Sequence, residues 1–301
     1  MNKRVWALPV LVALLLAAGS GVGFAIPSLG GPTGIVSLPT AEIAPQNQLQ
    51  TALSYQKFTV TSVVESTGMY GQPAAAESSD DFTSWSLQAL AAVTKEAELW
   101  AAYSSVKNSD DTSVWGIGGK VQLTKESEQG ADVAIGASFQ SATETVLESI
   151  GMYGESQEVS IDVDVDVWKA YLVATKDFAQ MKGEMSEGAR PRMLGSLGLL
   201  YLKVNASASA YGVSVSEDES LTRPFVGFEF VQPPATSLGL EYRWSDDKLD
   251  SKAVFSAVLR QQLSPEVTAE IGTTNADPLG LGLDDQNIFV RVGYSFPLKG
   301  Y

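Results

Sequence analysis

Six ionisable side chains stand singly on the less apolar faces of strand-like stretches: Lys120, Asp132, Glu229, Glu241, Arg243 and Arg291. Mixed charges converging on one enclosed space can line a constriction that selects polar solutes, or pair with one another and close the interior. Reaction chemistry is more restricted. The chain contains neither His nor Cys, which removes Ser-His and Cys-His nucleophile pairs, His- or Cys-bound zinc, His-bound haem and disulfides. An enzyme would be left with carboxylates, Lys, Tyr and Ser, and no carboxylate pair stands out, so no catalytic residue is assigned and no cofactor is expected. Asp162, Asp164 and Asp166 share one strand face, and calcium takes carboxylate oxygens. The loop spacing and Gly of a calcium loop are missing, however, and no metal site is expected.

Strands must carry these residues. From Asn287 to Phe296 the alternation is strict: Ile288, Val290, Val292, Tyr294 and Phe296 share one face, Phe289, Arg291, Gly293 and Ser295 the other. Eleven earlier segments carry the same period of two, at 48–58, 82–94, 99–106, 114–123, 131–140, 160–175, 193–204, 224–231, 238–244, 252–261 and 266–274. Most are near the ~9–11 residues of a tilted membrane strand. The Ala-rich third segment leaves its facing ambiguous, and Leu200 and Leu202 blur the seventh. In the sixth, Ile161, Val163, Val165 and Val167 oppose the Asp row, yet Trp168 and Leu172 share the Asp parity. Either a bulge shifts the register there or the acidic half projects beyond a membrane.

Connections supply an independent signal. Those at 95–98, 124–130, 232–237 and 262–265 are short, whereas those at 59–81, 141–159, 205–223 and 275–286 are long and polar. Short turns on one rim and long loops on the other describe an outer-membrane barrel with periplasmic turns; residues 176–192, long on the short side, are the exception.

The N-terminus reads as a secretory signal peptide over residues 1–25: Lys3 and Arg4, an apolar run from Val5 to Ala18, then Gly23-Phe24-Ala25. The formal charge of −15 grows more negative once Lys3 and Arg4 leave, which makes nucleic acid a poor partner. No later run is apolar enough for a spanning helix.

The expected fold is therefore all-β: a single antiparallel up-and-down transmembrane β-barrel of about twelve strands over residues 48–301. A turn-rich periplasmic lead-in, residues 26–47, precedes it. The expected location is the outer membrane of a diderm bacterium, with membrane lipid and the outer-membrane assembly machinery as partners. Aromatics near the ends of the apolar rows, Trp85, Trp115, Tyr242, Trp244, Tyr294 and Phe296, are expected to form lipid-facing girdles. Lys120, Asp132, Glu229, Glu241, Arg243 and Arg291 are expected to line the lumen. Pro297 stops the last strand, so Phe296 rather than Tyr301 is expected to serve as the assembly signal. A soluble, secreted β-sandwich is the competing architecture, because it shares the alternation.

Within the lead-in, Gly31-Pro32-Thr33-Gly34-Ile35-Val36-Ser37-Leu38-Pro39-Thr40-Ala41-Glu42, followed by Pro45 and Leu49, resembles the opening of YjbH-like outer-membrane barrels, a family associated with exopolysaccharide production. The resemblance implies a barrel serving polysaccharide export or assembly, with polysaccharide as a partner. The alternative from the charged residues alone is a small porin-like channel for polar solutes.

Overall fold

The computed structural model describes residues 28–29, 32–67, 73–107, 111–125, 130–152, 155–178, 191–210, 213–232, 236–245, 252–279 and 282–298. The leader lies outside the described residues. Twelve strands follow in order: β1 (Gln48–Thr67), β2 (Pro73–Ala92), β3 (Ala97–Lys107), β4 (Asp111–Thr124), β5 (Asp132–Met152), β6 (Glu155–Asp177), β7 (Arg192–Ala210), β8 (Val213–Gln232), β9 (Thr236–Arg243), β10 (Val254–Gln262), β11 (Val267–Ala276) and β12 (Gly282–Pro297). Each pairs antiparallel with its sequence neighbours, and β12 returns to β1 to close the barrel. The seam runs from Gln48 opposite Pro297 to Lys57 opposite Ile288. Closure leaves no sheet edge in the body of the barrel, where each strand is paired on both sides. The rim at which β1 begins and β12 ends is called lower below.

Three of the long connections differ from expectation. β1 and β2 stay paired out to Thr67 opposite Pro73, β5 and β6 to Met152 opposite Glu155, and β7 and β8 to Ala210 opposite Val213. Polarity in these segments had suggested loops. They are nevertheless rich in Val, Thr and Ser, and a hairpin whose outer face meets water needs β propensity and not an apolar row. The upper rim is thus built of projecting hairpins.

β6 runs without a register shift against either neighbour, so no bulge explains its mixed pattern. Its outer face carries Asp162, Asp164, Trp168 and Leu172 throughout, and Val167, Tyr171 and Val173 are buried inward. The acidic half is the outer face of the projecting hairpin.

The interior has two zones. Towards the upper rim it is apolar. Phe58, Val106, Val114 and Ala142 cluster there with Phe82, Val165, Leu279 and Leu283, and Phe58 stacks on Phe82 with ring centroids 5.4 Å apart. Leu279, from the β11–β12 connection, also packs against the cluster of Val167, Leu200, Leu202, Val204, Leu221 and Phe225. The lower zone is polar and charged.

Candidate functional site

The lead-in does not stand clear of the barrel on its lower side, as expected of a periplasmic segment, but lies inside it. Thr40 N donates to Thr33 O at 3.1 Å and Ile35 N to Leu38 O at 3.2 Å, which with the Gly34–Pro39 bridge forms a small hairpin with its tip at Val36 and Ser37. Ile35, Val36, Leu38, Ala41 and Ala44 are all buried. A chain segment placed inside a barrel must find partners for its backbone groups, since it is not part of the sheet. The wall supplies them.

At the tip, the Glu241 carboxylate accepts from Val36 N (3.0 Å), Ser37 N (2.8 Å), Ser37 Oγ (2.5 Å) and Leu38 N (3.1 Å). Successive N–H groups converging on one carboxylate form an anion nest, here filled by a side chain of the wall. At the base, Glu98 accepts from Thr33 N (2.8 Å), Thr33 Oγ1 (2.7 Å) and Ala44 N (2.9 Å). Lys120 Nζ lies 3.0 Å from Glu98 Oε1 and donates to the carbonyls of Thr33, Thr40 and Glu42 at 3.2, 3.0 and 2.5 Å. Arg260 adds a contact nearer the tip, donating to Ile35 O at 3.0 Å. Its Nε donates to Glu270 Oε1 at 2.6 Å and its Nη1 to Glu229 Oε1 at 2.8 Å. Ser237 Oγ also donates to Glu229 at 2.8 Å, and Arg291 Nε to Glu270 Oε2 at 2.6 Å. Every carboxylate of this network faces a cation or backbone donors, the condition under which buried charge is tolerated.

Apolar contacts fix the hairpin's position. A Cβ at Gly239 would lie 2.4 Å from Ile35 Cγ2 and 2.9 Å from Val258 Cγ1, and one at Gly227 would lie 2.6 Å from Ile35 Cδ1. These two glycines leave the wall thin where Ile35 enters. Gly239→Val is accordingly expected to cost about 1–3 kcal/mol by overpacking. Ile35→Ala in the same chain should return part of that loss, giving a non-zero coupling in a double-mutant cycle of urea unfolding midpoints. After the hairpin the chain leaves past the lower rim, where Arg192 Nη2 donates to Glu42 Oε1 at 2.8 Å. It turns into β1 at Asn47, whose φ of 57° is a left-handed conformation that Asn tolerates.

Of the residues singled out in the sequence, Lys120, Glu229, Glu241, Arg243 and Arg291 are buried inside the barrel. Asp132 is half-buried near the lower rim and takes no part in the hydrogen bonds described above. Trp85, Trp115, Tyr242, Trp244, Tyr294 and Phe296 are exposed on the outer surface. Glu98, Arg260 and Glu270 belong to the same network and were not among the expected residues. Glu270 was legible, because it alternates with Val267, Ala269 and Ile271; Glu98 fell in a segment read as a turn. Among the described residues no three acids converge on a metal-sized site.

Fold and interior together define a closed twelve-stranded up-and-down barrel whose lower lumen is filled by its own N-terminal segment. The translocator domain of the autotransporter NalP from Neisseria meningitidis shares this fold, with a TM-score of 0.55 over 84% of this chain and 90% of that one, at 12% identity. Weaker likenesses include the KdgM porin in complex with disordered oligogalacturonate (TM-score 0.46, 9% identity, 82% of this chain and 99% of that one) and the toluene transporter TodX of P. putida (TM-score 0.44, 10% identity, 94% and 100%). No protein-family model and no curated protein matches the chain.

Proposed function

We propose that this chain is an outer-membrane barrel of a diderm bacterium, closed at rest by residues 32–45, that serves the export or assembly of a surface polysaccharide. The observation that carries the closed state is the grip of Glu98, Lys120, Glu241 and Arg260 on the lead-in hairpin. Membrane insertion is supported by the outer surface. Leu53, Leu87, Leu99, Ile117, Leu197 and Val292 are exposed there in an apolar band, far more than a water-facing wall needs. Tyr55 against Trp85, Phe139 against Trp168, and Tyr201 mark its upper edge, and outward charge pairs begin just above: Lys57 with Asp81, and Lys203 with Asp218. From Trp168 down to Lys176 is roughly 26 Å of strand, or ~20 Å along the axis at a tilt near 40°, close to the ~25 Å apolar band of such barrels.

The polysaccharide role rests on the lead-in sequence, whose resemblance to YjbH-like openings covers the residues that form the hairpin. Deleting the gene tests it: surface polysaccharide unchanged in amount and release would end this reading. Membrane fractionation with an unboiled gel tests the barrel, which predicts a detergent-dependent protein with heat-dependent mobility. Phe296, tilted against Tyr294 with ring centroids 4.4 Å apart at the lower end of the seam, is proposed as the assembly signal. Phe296→Asp should then leave little heat-modifiable protein in the membrane fraction.

The outward pair offers a pH prediction. Hydrogen bonds from Lys57 Nζ at 2.6 Å and Thr59 Oγ1 at 2.9 Å hold the Asp81 carboxyl below the usual carboxylate range. A depressed folded pKa contributes stability above the unfolded value, lost as pH falls through the folded one. Carboxyl chemical shifts in a detergent micelle should show Asp81 titrating lower in wild type than in Lys57→Met.

A second reading, conduction of polar solutes, is favoured by the charged lower lumen and requires the hairpin to move.

A further inference from the structure

Residues 275–279, at the end of β11, turn into the lumen, whereas the hairpins of β1–β2, β5–β6 and β7–β8 project from the upper rim. The pairing of β11 with β12 shifts register between Thr274 and Ala276. The extra residue, Asn275, is buried, and its side chain holds three backbone groups: Nδ2 donates to Ala253 O at 2.7 Å and Leu283 O at 2.8 Å, and Oδ1 accepts from Phe255 N at 2.7 Å. Gln56 Nε2 donates to Ala276 O at 2.8 Å. A bulge pinned in this way fixes the direction in which the chain leaves the sheet. Residues 276–279 then cross the barrel. Lys169 Nζ on β6 donates to Leu279 O at 2.5 Å, and β6 stands six places from β12 in either direction around the closed sheet. A Lys side chain is much shorter than such a barrel is wide, so the connection itself spans most of the interior. Leu279 accordingly packs against clusters drawn from β1, β3, β4 and β5 and from β6, β7 and β8.

We propose that residues 276–279 are a strap, rooted at Asn275 and latched to the far wall by Lys169, that closes the barrel above the lead-in hairpin. The root is gripped by the four hydrogen bonds of Asn275 and Gln56. At the far end the Lys169 bond and the apolar seat of Leu279 hold it, so opening begins there, as in lids that swing about one fixed end. Asp277 and Pro278 share a cavity of about 30 Å³ with Pro32, Ser37 and Pro39 of the hairpin, which admits water and excludes a solute. The two closures therefore lie in series: a solute from the upper side meets the strap first and the hairpin second. They are held by different residues, Lys169, Gln56 and Asn275 for the strap and Glu98 and Glu241 for the hairpin. The strap needs the barrel, but neither the hairpin closure nor the polysaccharide reading.

The chain has no Cys, so Ser138→Cys places a single thiol beneath the strap: Ser138 is buried, lies on β5 opposite Lys169 and lines the shared cavity. The rate at which a charged, membrane-impermeant maleimide labels it in detergent-folded protein reads the closure. Labelling should be slow beside the exposed Leu298→Cys. It should rise about tenfold both in Lys169→Met, which removes the latch, and in Leu279→Ser, which removes the apolar seat and leaves Lys169 in place. Each variant is first shown to keep the heat-dependent gel shift. Limited proteolysis that still spares residues 32–45 shows that access came past the strap; new cleavage there would assign it to the hairpin and overturn the proposal. A thiol as reactive as Leu298→Cys in the otherwise unaltered chain, or a rate that either variant leaves unchanged, overturns it as well.

Discussion

Glu241→Ala is expected to release the tip of the lead-in hairpin and cost on the order of 3 kcal/mol. The carboxylate takes four donors at 2.5–3.1 Å, and the three backbone groups among them have no route to a strand partner. Without the carboxylate they must orphan or reach water, and either outcome loosens residues 33–40. The loss should appear in two measurements. Urea unfolding should begin earlier, and limited proteolysis should cut within residues 32–45 while leaving the barrel whole. Glu241→Gln keeps one acceptor oxygen and should fall between the two. The prediction fails if Glu241→Ala leaves the hairpin as protected as in wild type.

The second large effect is expected at Glu270, which bridges Arg260 and Arg291 through its two oxygens. Both arginines are buried, as is the carboxylate. Glu270→Leu leaves two guanidinium groups with one fewer counter-charge, and breaking a buried pair from one side costs about 3–5 kcal/mol. Arg260 would keep Glu229 at 2.8 Å, so Arg291 is the cation to remove when the charge is tested. The double variant Glu270→Leu, Arg291→Met should therefore be more stable than Glu270→Leu alone, a sign that charge imbalance and not lost packing dominates. Thermal unfolding of the three proteins decides it; a double variant less stable than the single one would refute the charge explanation.

How much of this was legible in the sequence depends on the element. Arg291 and Glu241 lie on strands with strict alternation, opposite unbroken apolar rows that end in aromatics, and that contrast marked them as inward. β6 misled because Val165 and Val167 of its inner row pack on an apolar upper interior while its outer row carries the exposed Asp162 and Asp164. Alternation gives two faces but does not say which is inside, and the outward Trp168 farther down was the cue. Glu98 was lost because residues 95–98 read as a turn, whereas β3 already begins at Ala97. The destination of the lead-in was illegible for a different reason. Its glycines and prolines announce turns, but the space it fills is shaped by Gly227 and Gly239 and its donors are met by Glu98 and Glu241, all contributed by distant strands. Closure of β12 on β1, by contrast, followed from an even strand count and alternating connection lengths.

On the proposed reading, residues 32–45 block a barrel that would otherwise be open below its apolar collar. Planar-bilayer recording compares wild type with a variant lacking residues 28–45, both first shown to be folded by heat-dependent mobility. Wild type silent, with conductance steps or a marked rise in current noise in the deletion, is the predicted result. Equal conductance in the two proteins would contradict it.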